Sequence, residues 1–138
     1  MAKDFELIEH TADVGIMAYG ADVREAFANA ARGMFSLIVE LGSIGEVEHR
    51  YIEVTASDEE SLLAAWLNEL ICLFDAENML FSRFEITEFG DTFLRAKAYG
   101  EPVDSSRHQL KVGIKAATYH MLEVDRSDGG RVQVLFDI

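Results

Sequence analysis

The sequence predicts an α+β fold, a single two-layer domain over residues 1–138 with two long amphipathic helices on one face of a mainly antiparallel sheet. Two long segments carry apolar residues at helical spacing, and the segments around them alternate with a period of two and are joined by turn residues. The 138 residues suit one core, and 49% hydrophobic with 27% charged residues is ordinary for a globular chain.

The elements follow in order. Phe5 to Ile8 alternates and Ile16 to Tyr19 resumes, with the polar stretch His10-Thr11-Ala12-Asp13 where the two strands meet. Asp22 with Glu25 three residues on resembles a capping box, and Val23, Ala26, Phe27, Ala30, Ala31, Met34, Phe35 and Ile38 form a helical stripe with Gly42 as its stop. Glu46 to Ala56 reads as a strand. Ser57 with Glu60 opens a second helix, whose broad face (Leu62, Leu63, Trp66, Leu67, Leu70, Ile71, Phe74) implies burial between a sheet and another helix. Trp66 is then a core residue whose indole N–H needs one acceptor.

Strands Leu80 to Phe89 and Thr92 to Tyr99 meet at Gly90-Asp91, and residues 100–106, with the single proline Pro102, read as a loop opening a helical turn at Ser105 or Ser106. Thr118 to Val124 and Val132 to Phe136 alternate again, joined through Ser127-Asp128-Gly129-Gly130. On the last strand Val132, Val134 and Phe136 share one face, which leaves Asp137 pointing outward beside the α-carboxylate of Ile138.

Charge narrows the function. Twelve basic against twenty-five acidic residues give −13, which argues against autonomous binding to a phosphate backbone and for cations or a basic protein partner. No apolar run reaches the roughly 18 residues of a membrane span, and Met1-Ala2-Lys3-Asp4 lacks a signal-peptide core, so a cytoplasmic location is expected. Cys72, the single cysteine, lies in an apolar helical run and reads as a small buried hydrophobe with no His or basic residue near it to stabilise a thiolate.

Three places concentrate polar chemistry: the 10–13 turn, the run Lys115-Ala116-Ala117-Thr118-Tyr119-His120, and the terminal Asp137-Ile138. Asp13, Asp137 and the terminal carboxylate would make an all-oxygen set suited to a hard divalent ion. The alternative is that Asp13 caps a turn and Asp137 is solvated at the chain end. Lys115 is either a surface lysine or a partner for carboxylates or a bound phosphate. His10 fits a hydrogen bond within its own loop, His120 one to a neighbouring strand, and His49 stands on an exposed strand. The histidine spacings, His108 included, match no zinc pattern. There is no phosphate loop, nucleophile elbow or Cys–His pair.

Taken together, H-T-A-D-V-G at 10–15, W-L-N-E-L at 66–70, G-E-P at 100–102 followed by His108, I-K-A-A-T-Y-H at 114–120 and the terminal F-D-I resemble the archease family in order and spacing over essentially the whole chain. Gly113 departs from it, standing where an acidic residue is expected two before the lysine. The resemblance implies a protein cofactor of the RtcB-type RNA ligase of tRNA splicing, not an enzyme, that promotes guanylylation of the ligase histidine, multiple turnover and broader nucleotide usage. It implies Asp13, Asp137 and Ile138 as ligands of a divalent metal (calcium first, magnesium or manganese as alternatives), Lys115 as the contact to ligase or nucleotide, and His10, Thr11 and His120 as supporting residues. The alternatives are a chaperone-like modulator of RNA- or DNA-modifying enzymes such as methyltransferases, a stand-alone metal-dependent hydrolase, and a calcium-stabilised structural protein.

Overall fold

Two helices bridge two antiparallel sheets. A computed structural model describes residues 3–9 and 13–138, and only the backbone of residue 9. The strands are β1 (Phe5–Glu9), β2 (Val14–Gly20), β3 (Glu48–Thr55), β4 (Met79–Phe89), β5 (Phe93–Pro102), β6 (Ala116–Ala117), β7 (Glu123–Asp125) and β8 (Gly130–Asp137), and the helices are α1 (Val23–Ile38) and α2 (Glu59–Glu77). One sheet runs β1-β2-β8-β6 with β7 also on β8, and the other runs β3-β5-β4. The α+β expectation therefore holds, but the strands divide into two sheets. α1 packs on β1, β2 and β8 and also on β4, while α2 packs on β3, β4 and β5 and also on β6 and β7. Among the described residues, no helix is long and apolar enough to cross a membrane.

Local chemistry explains the helix ends. Asp22 caps α1 by accepting from the Glu25 N–H at 2.8 Å, and Glu25 Oε1 accepts from the Ala21 N–H at 2.8 Å, one residue before the position a capping box uses. α1 stops at Ile38, short of the Gly42 expected from sequence. Fully buried Val39 turns extended, and the free Ile38 carbonyl accepts from the Lys111 N–H at 2.7 Å. Leu41–Ser43 follows as a 3₁₀ turn that contains Gly42. α2 is capped by Asp58 rather than Ser57, its carboxylate accepting from the Ser61 N–H at 2.8 Å. It ends at Asn78 in the left-handed conformation (φ 56°), which asparagine tolerates.

The helices meet through Trp66, which is fully buried and donates from Nε1 to the Phe27 carbonyl at 2.9 Å, the one acceptor its indole requires. Phe27 packs edge-on against Phe89, and Phe35 against Phe81. Cys72 is exposed, contrary to the sequence expectation. At 100° per residue it stands about 200° round the helix from Leu70, on the far side from the core stripe.

The C-terminal half departs most from its sequence pattern. Asp91-Thr92 forms the tip of the β4–β5 hairpin, closed by the Gly90 N–H to the Phe93 carbonyl at 2.8 Å. Gly100, Glu101 and Pro102 continue β5 instead of forming a loop, while the helical turn opens at Ser105 as expected, with the Asp104 carbonyl accepting from the Arg107 and His108 N–H groups. Thr118 to Val124 is not one strand. Thr118 follows the two-residue β6 without being part of it, Tyr119–Met121 forms a turn, and strand pairing resumes only at β7.

Glu101 and His108 form a buried polar cluster. Glu101 accepts from Arg107 (2.6 and 3.1 Å), from the Gly45 N–H (2.6 Å), and from His108 Nε2 (3.0 Å). His108 Nδ1 accepts from the Asp104 N–H at 2.8 Å, which puts the ring proton on Nε2, shared between Glu101 and the Ser43 carbonyl. Arg107, then the Gly45 N–H, hold the Glu101 carboxyl down from 4.5 to about 2. The cluster ties the 43–45 segment and the 104–108 turn to the end of β5.

In the first sheet, β2 pairs with β8 in the register Val14↔Phe136 to Gly20↔Gly130. Gly15 lies opposite Leu135, and a Cβ there would meet Leu135 Cδ2 at 2.5 Å and the Val134 carbonyl at 2.6 Å. Leu135, on the outward side of β8, is thus buried by lying across the glycine of the 10–15 motif.

Gly15→Ala should destabilise by about 3 kcal/mol through forced overpacking, read as a lower urea midpoint at unchanged m. Glu101→Gln should cost about 1–2 kcal/mol near neutral pH by weakening the charged hydrogen bonds that the buried carboxylate accepts from Arg107 and the Gly45 N–H. Because the folded carboxyl is depressed, its contribution is present above about pH 4.5 and fades as pH falls toward 2. Acid titration of stability should therefore be shallower in Glu101→Gln over that window.

Candidate functional site

The site residues converge through strand pairing. The ladder of β2 on β8 begins at Val14↔Phe136; continued by one residue, its register would set Asp13, just outside β2, across from Asp137 on the outward face of Gly15 and Leu135. On the other flank of β8, Ala116 pairs with Asp137 and the Lys115 N–H donates to the Asp137 carbonyl at 2.8 Å. One step on, Lys115 comes beside the terminal Ile138. Three distant parts of the sequence thus meet at one sheet end, with β8 in the middle.

The facing of β8 matches its alternation. Val132, Val134 and Phe136 are fully buried, while Asp137 is exposed. Lys115 is exposed, Asp13 is half-buried, and Ile138 is 47% exposed. His10 and Thr11 lie outside the described residues. His120 is exposed and sits in the Tyr119–Met121 turn rather than on a strand face. The strand expected there is interrupted after Ala117, where β6 stops pairing with β8, until β7, and within that gap Met121 adopts a left-handed backbone (φ 57°).

Sequence reasoning assigned no role to Asn68, in the W-L-N-E-L stretch of α2. Its Oδ1 accepts from the Ala117 N–H at 2.8 Å and its Nδ2 donates to the Ala117 carbonyl at 3.3 Å. The side-chain amide thereby stands in for a neighbouring strand and braces β6 two residues from Lys115. The signal was available: a polar residue directly after Trp66-Leu67 on a broad apolar face. Glu101 and His108, also in the motifs, serve the buried cluster with Arg107.

The donor chemistry is oxygen, from two side-chain carboxylates and the chain terminus. Among the described residues no group of three or more His, Cys, Asp or Glu is placed to hold a metal. Oxygen donors of this kind suit a hard divalent ion better than zinc. A separate groove of about 740 Å³, lined by Lys3, Glu6, Tyr19, Asp125 and Arg131 among others, reaches Gly20 and Gly130 at the opposite end of the β2–β8 pair. Its cations are committed to carboxylates: Lys3 to Glu6 at 2.9 Å, and Arg131 to Glu123 and Asp125 at 2.6 and 2.8 Å.

Known proteins share this arrangement of chain. Residues 5–138 match the model of the Archease protein family. The chain is 38% identical over 141 residues to protein archease of Methanosarcina acetivorans, covering 99% of this chain and 97% of that one. It is 41% identical to protein archease of Pyrococcus abyssi, covering 94% and 93%. The solution structure of Methanobacterium thermoautotrophicum protein 1598 superposes with a TM-score of 0.83 at 38% identity, over 98% of this chain and 99% of that one. A crystal structure from Thermotoga maritima, described as an archease and possible chaperone, shares the fold with a TM-score of 0.63 at 24% identity, over 100% and 98% of the two chains. With a family model spanning nearly its whole length and relatives of this similarity, the chain belongs to the archease family.

Proposed function

We propose that this archease is a cytoplasmic protein cofactor of an RtcB-type RNA ligase in tRNA splicing, promoting ligase guanylylation and multiple turnover from its acidic tip. The observation that carries the reading is the register that brings Asp13 across from Asp137, with Lys115 on the other flank of the same strand. Family membership supports it.

Two facing carboxylates repel one another unless a cation lies between them. Asp13, Asp137 and the terminal carboxylate would hold a divalent ion, calcium first by its taste for flexible oxygen sets, with magnesium or manganese as alternatives. Such an ion supplies neutralisation of charge on nucleotide phosphates. The exposed Lys115 ammonium is a point charge able to donate to a phosphate or to a carboxylate of the ligase. Asn68 keeps β6, and so Lys115, in place. The ligase contributes the nucleophile, and archease does no bond chemistry. A net charge of −13 steers the protein toward the basic surroundings that an RNA- and nucleotide-binding site requires.

In a ligation assay with ligase limiting and GTP and Mn²⁺ present, Asp13→Ala, Lys115→Ala and Asp137→Ala should each cut turnover tenfold or more, by order-of-magnitude expectation for a lost charged contact. Wild-type turnover in all three would falsify the site assignment. No effect of the wild-type protein on its cognate ligase rejects the ligase reading and directs attention to a chaperone-like role. For the metal, calcium at a hundredfold excess over its Kd should stabilise the wild type by about 2.7 kcal/mol. Asp137→Asn should lose most of that increment in a thermal melt.

A further inference from the structure

We propose that the Tyr119–Met121 turn is a docking element, whose Tyr119 and Met121 side chains seat in an apolar recess bordering the basic, phosphate-binding cleft of a partner protein. This rests on the activator role proposed above and assigns the contact that holds the acidic tip in place.

Exposure comes first. Tyr119 is 66% and Met121 51% exposed, so two of the seven large hydrophobic residues left open among the described residues fall in one three-residue turn. A third, Ile138, ends the adjacent strand. Aromatic residues and methionine are enriched at the centres of protein interfaces, where their burial supplies most of the affinity.

The turn is also fixed beside the tip. The Thr118 N–H donates to the Leu135 carbonyl at 2.9 Å, and Gln133 Nε2 donates to the Met121 carbonyl at 2.9 Å. Both anchors are on β8, two and four residues before Asp137. Whatever surface receives the carboxylates therefore meets this turn as well.

The turn carries two costs that folding alone does not explain. Met121 holds a left-handed backbone, and the other non-glycine residue that does so, Asn78, is a helix cap where that conformation is expected. Thr118 Oγ1 is, among the described residues, the buried side-chain polar atom that lacks a hydrogen-bond partner. A departure from local preference in the exposed turn, at Met121, and another at the residue just before the turn, Thr118, mark a shape kept for recognition.

Charge selects the occupant. A second copy would bring another acidic tip and another −13 against this one, and anionic lipid or nucleic acid would be repelled in the same way. A basic protein surface is what complements an apolar turn set beside clustered carboxylates.

The test is calorimetric titration of the cognate ligase with the full chain, at low and at high salt. Tyr119→Ser and Met121→Gly should each weaken binding about tenfold at both salts, because apolar contact is not screened. Asp137→Asn should weaken it chiefly at low salt. Melting temperature should not fall in Met121→Gly, since glycine adopts the left-handed backbone freely, so a binding loss there cannot be unfolding. Wild-type affinity in the Tyr119→Ser/Met121→Gly double variant overturns the docking element while leaving the activator role standing. Absence of any binding by the wild type overturns the activator role itself. Wild-type dimerisation in sedimentation, abolished in the double variant, overturns the inference in favour of self-association.

Discussion

The pairing of β8 between β2 on one side and β6 and β7 on the other is the constraint on which the rest of the molecule depends. One face of the strand delivers Val132, Val134 and Phe136 to the core beneath α1, and the other carries Leu135 across Gly15. A slip of one residue would exchange the faces and move Asp137 inward, where an unpaired carboxylate is not tolerated. Burial of the strand body therefore fixes the position of the exposed strand end. The strand end takes its place from the core and from the Lys115 N–H bond to the Asp137 carbonyl.

Two different electrostatic solutions coexist in the chain. Glu101 is buried and fully engaged, with Arg107, His108 and the Gly45 N–H holding it ionised, so its charge is spent on joining three segments. Asp137 differs from it in being exposed at the end of β8, and Asp13 is half-buried just before β2. Exposed ion pairs elsewhere, such as Arg95 with Glu53 and Glu88, add little stability and chiefly keep the acidic surface mixed in sign.

Helical periodicity was legible because it is a local property. The stripes of α1 and α2 are where the spacing puts them, and Trp66 finds its acceptor on the other helix as its chemistry demanded. Helix ends were less legible: Ser57 and Asp58 are both competent caps, and Val39 leaves α1 because burial outweighs continuation of the helix. The apolar run around Cys72 hid the helical phase, which alone tells its inner from its outer members. The alternation from Thr118 to Val124 suggested a strand because residue type records side-chain preference and not the left-handed turn at Met121.

By itself the sequence determined the fold class, the core stripes, the outward face of Asp137 and, through the archease motifs, which residues to place in one site. It could not determine which residues flank Asp137, because strand register and order depend on contacts between segments far apart in sequence, more than a hundred residues for β2 with β8 and about twenty for β6 with β8. Nor could it show that Asn68 completes the edge of β6, or that Glu101 and His108 hold the fold together. These were decided by tertiary structure, where burying β8 leaves one register and one available neighbour for each flanking segment.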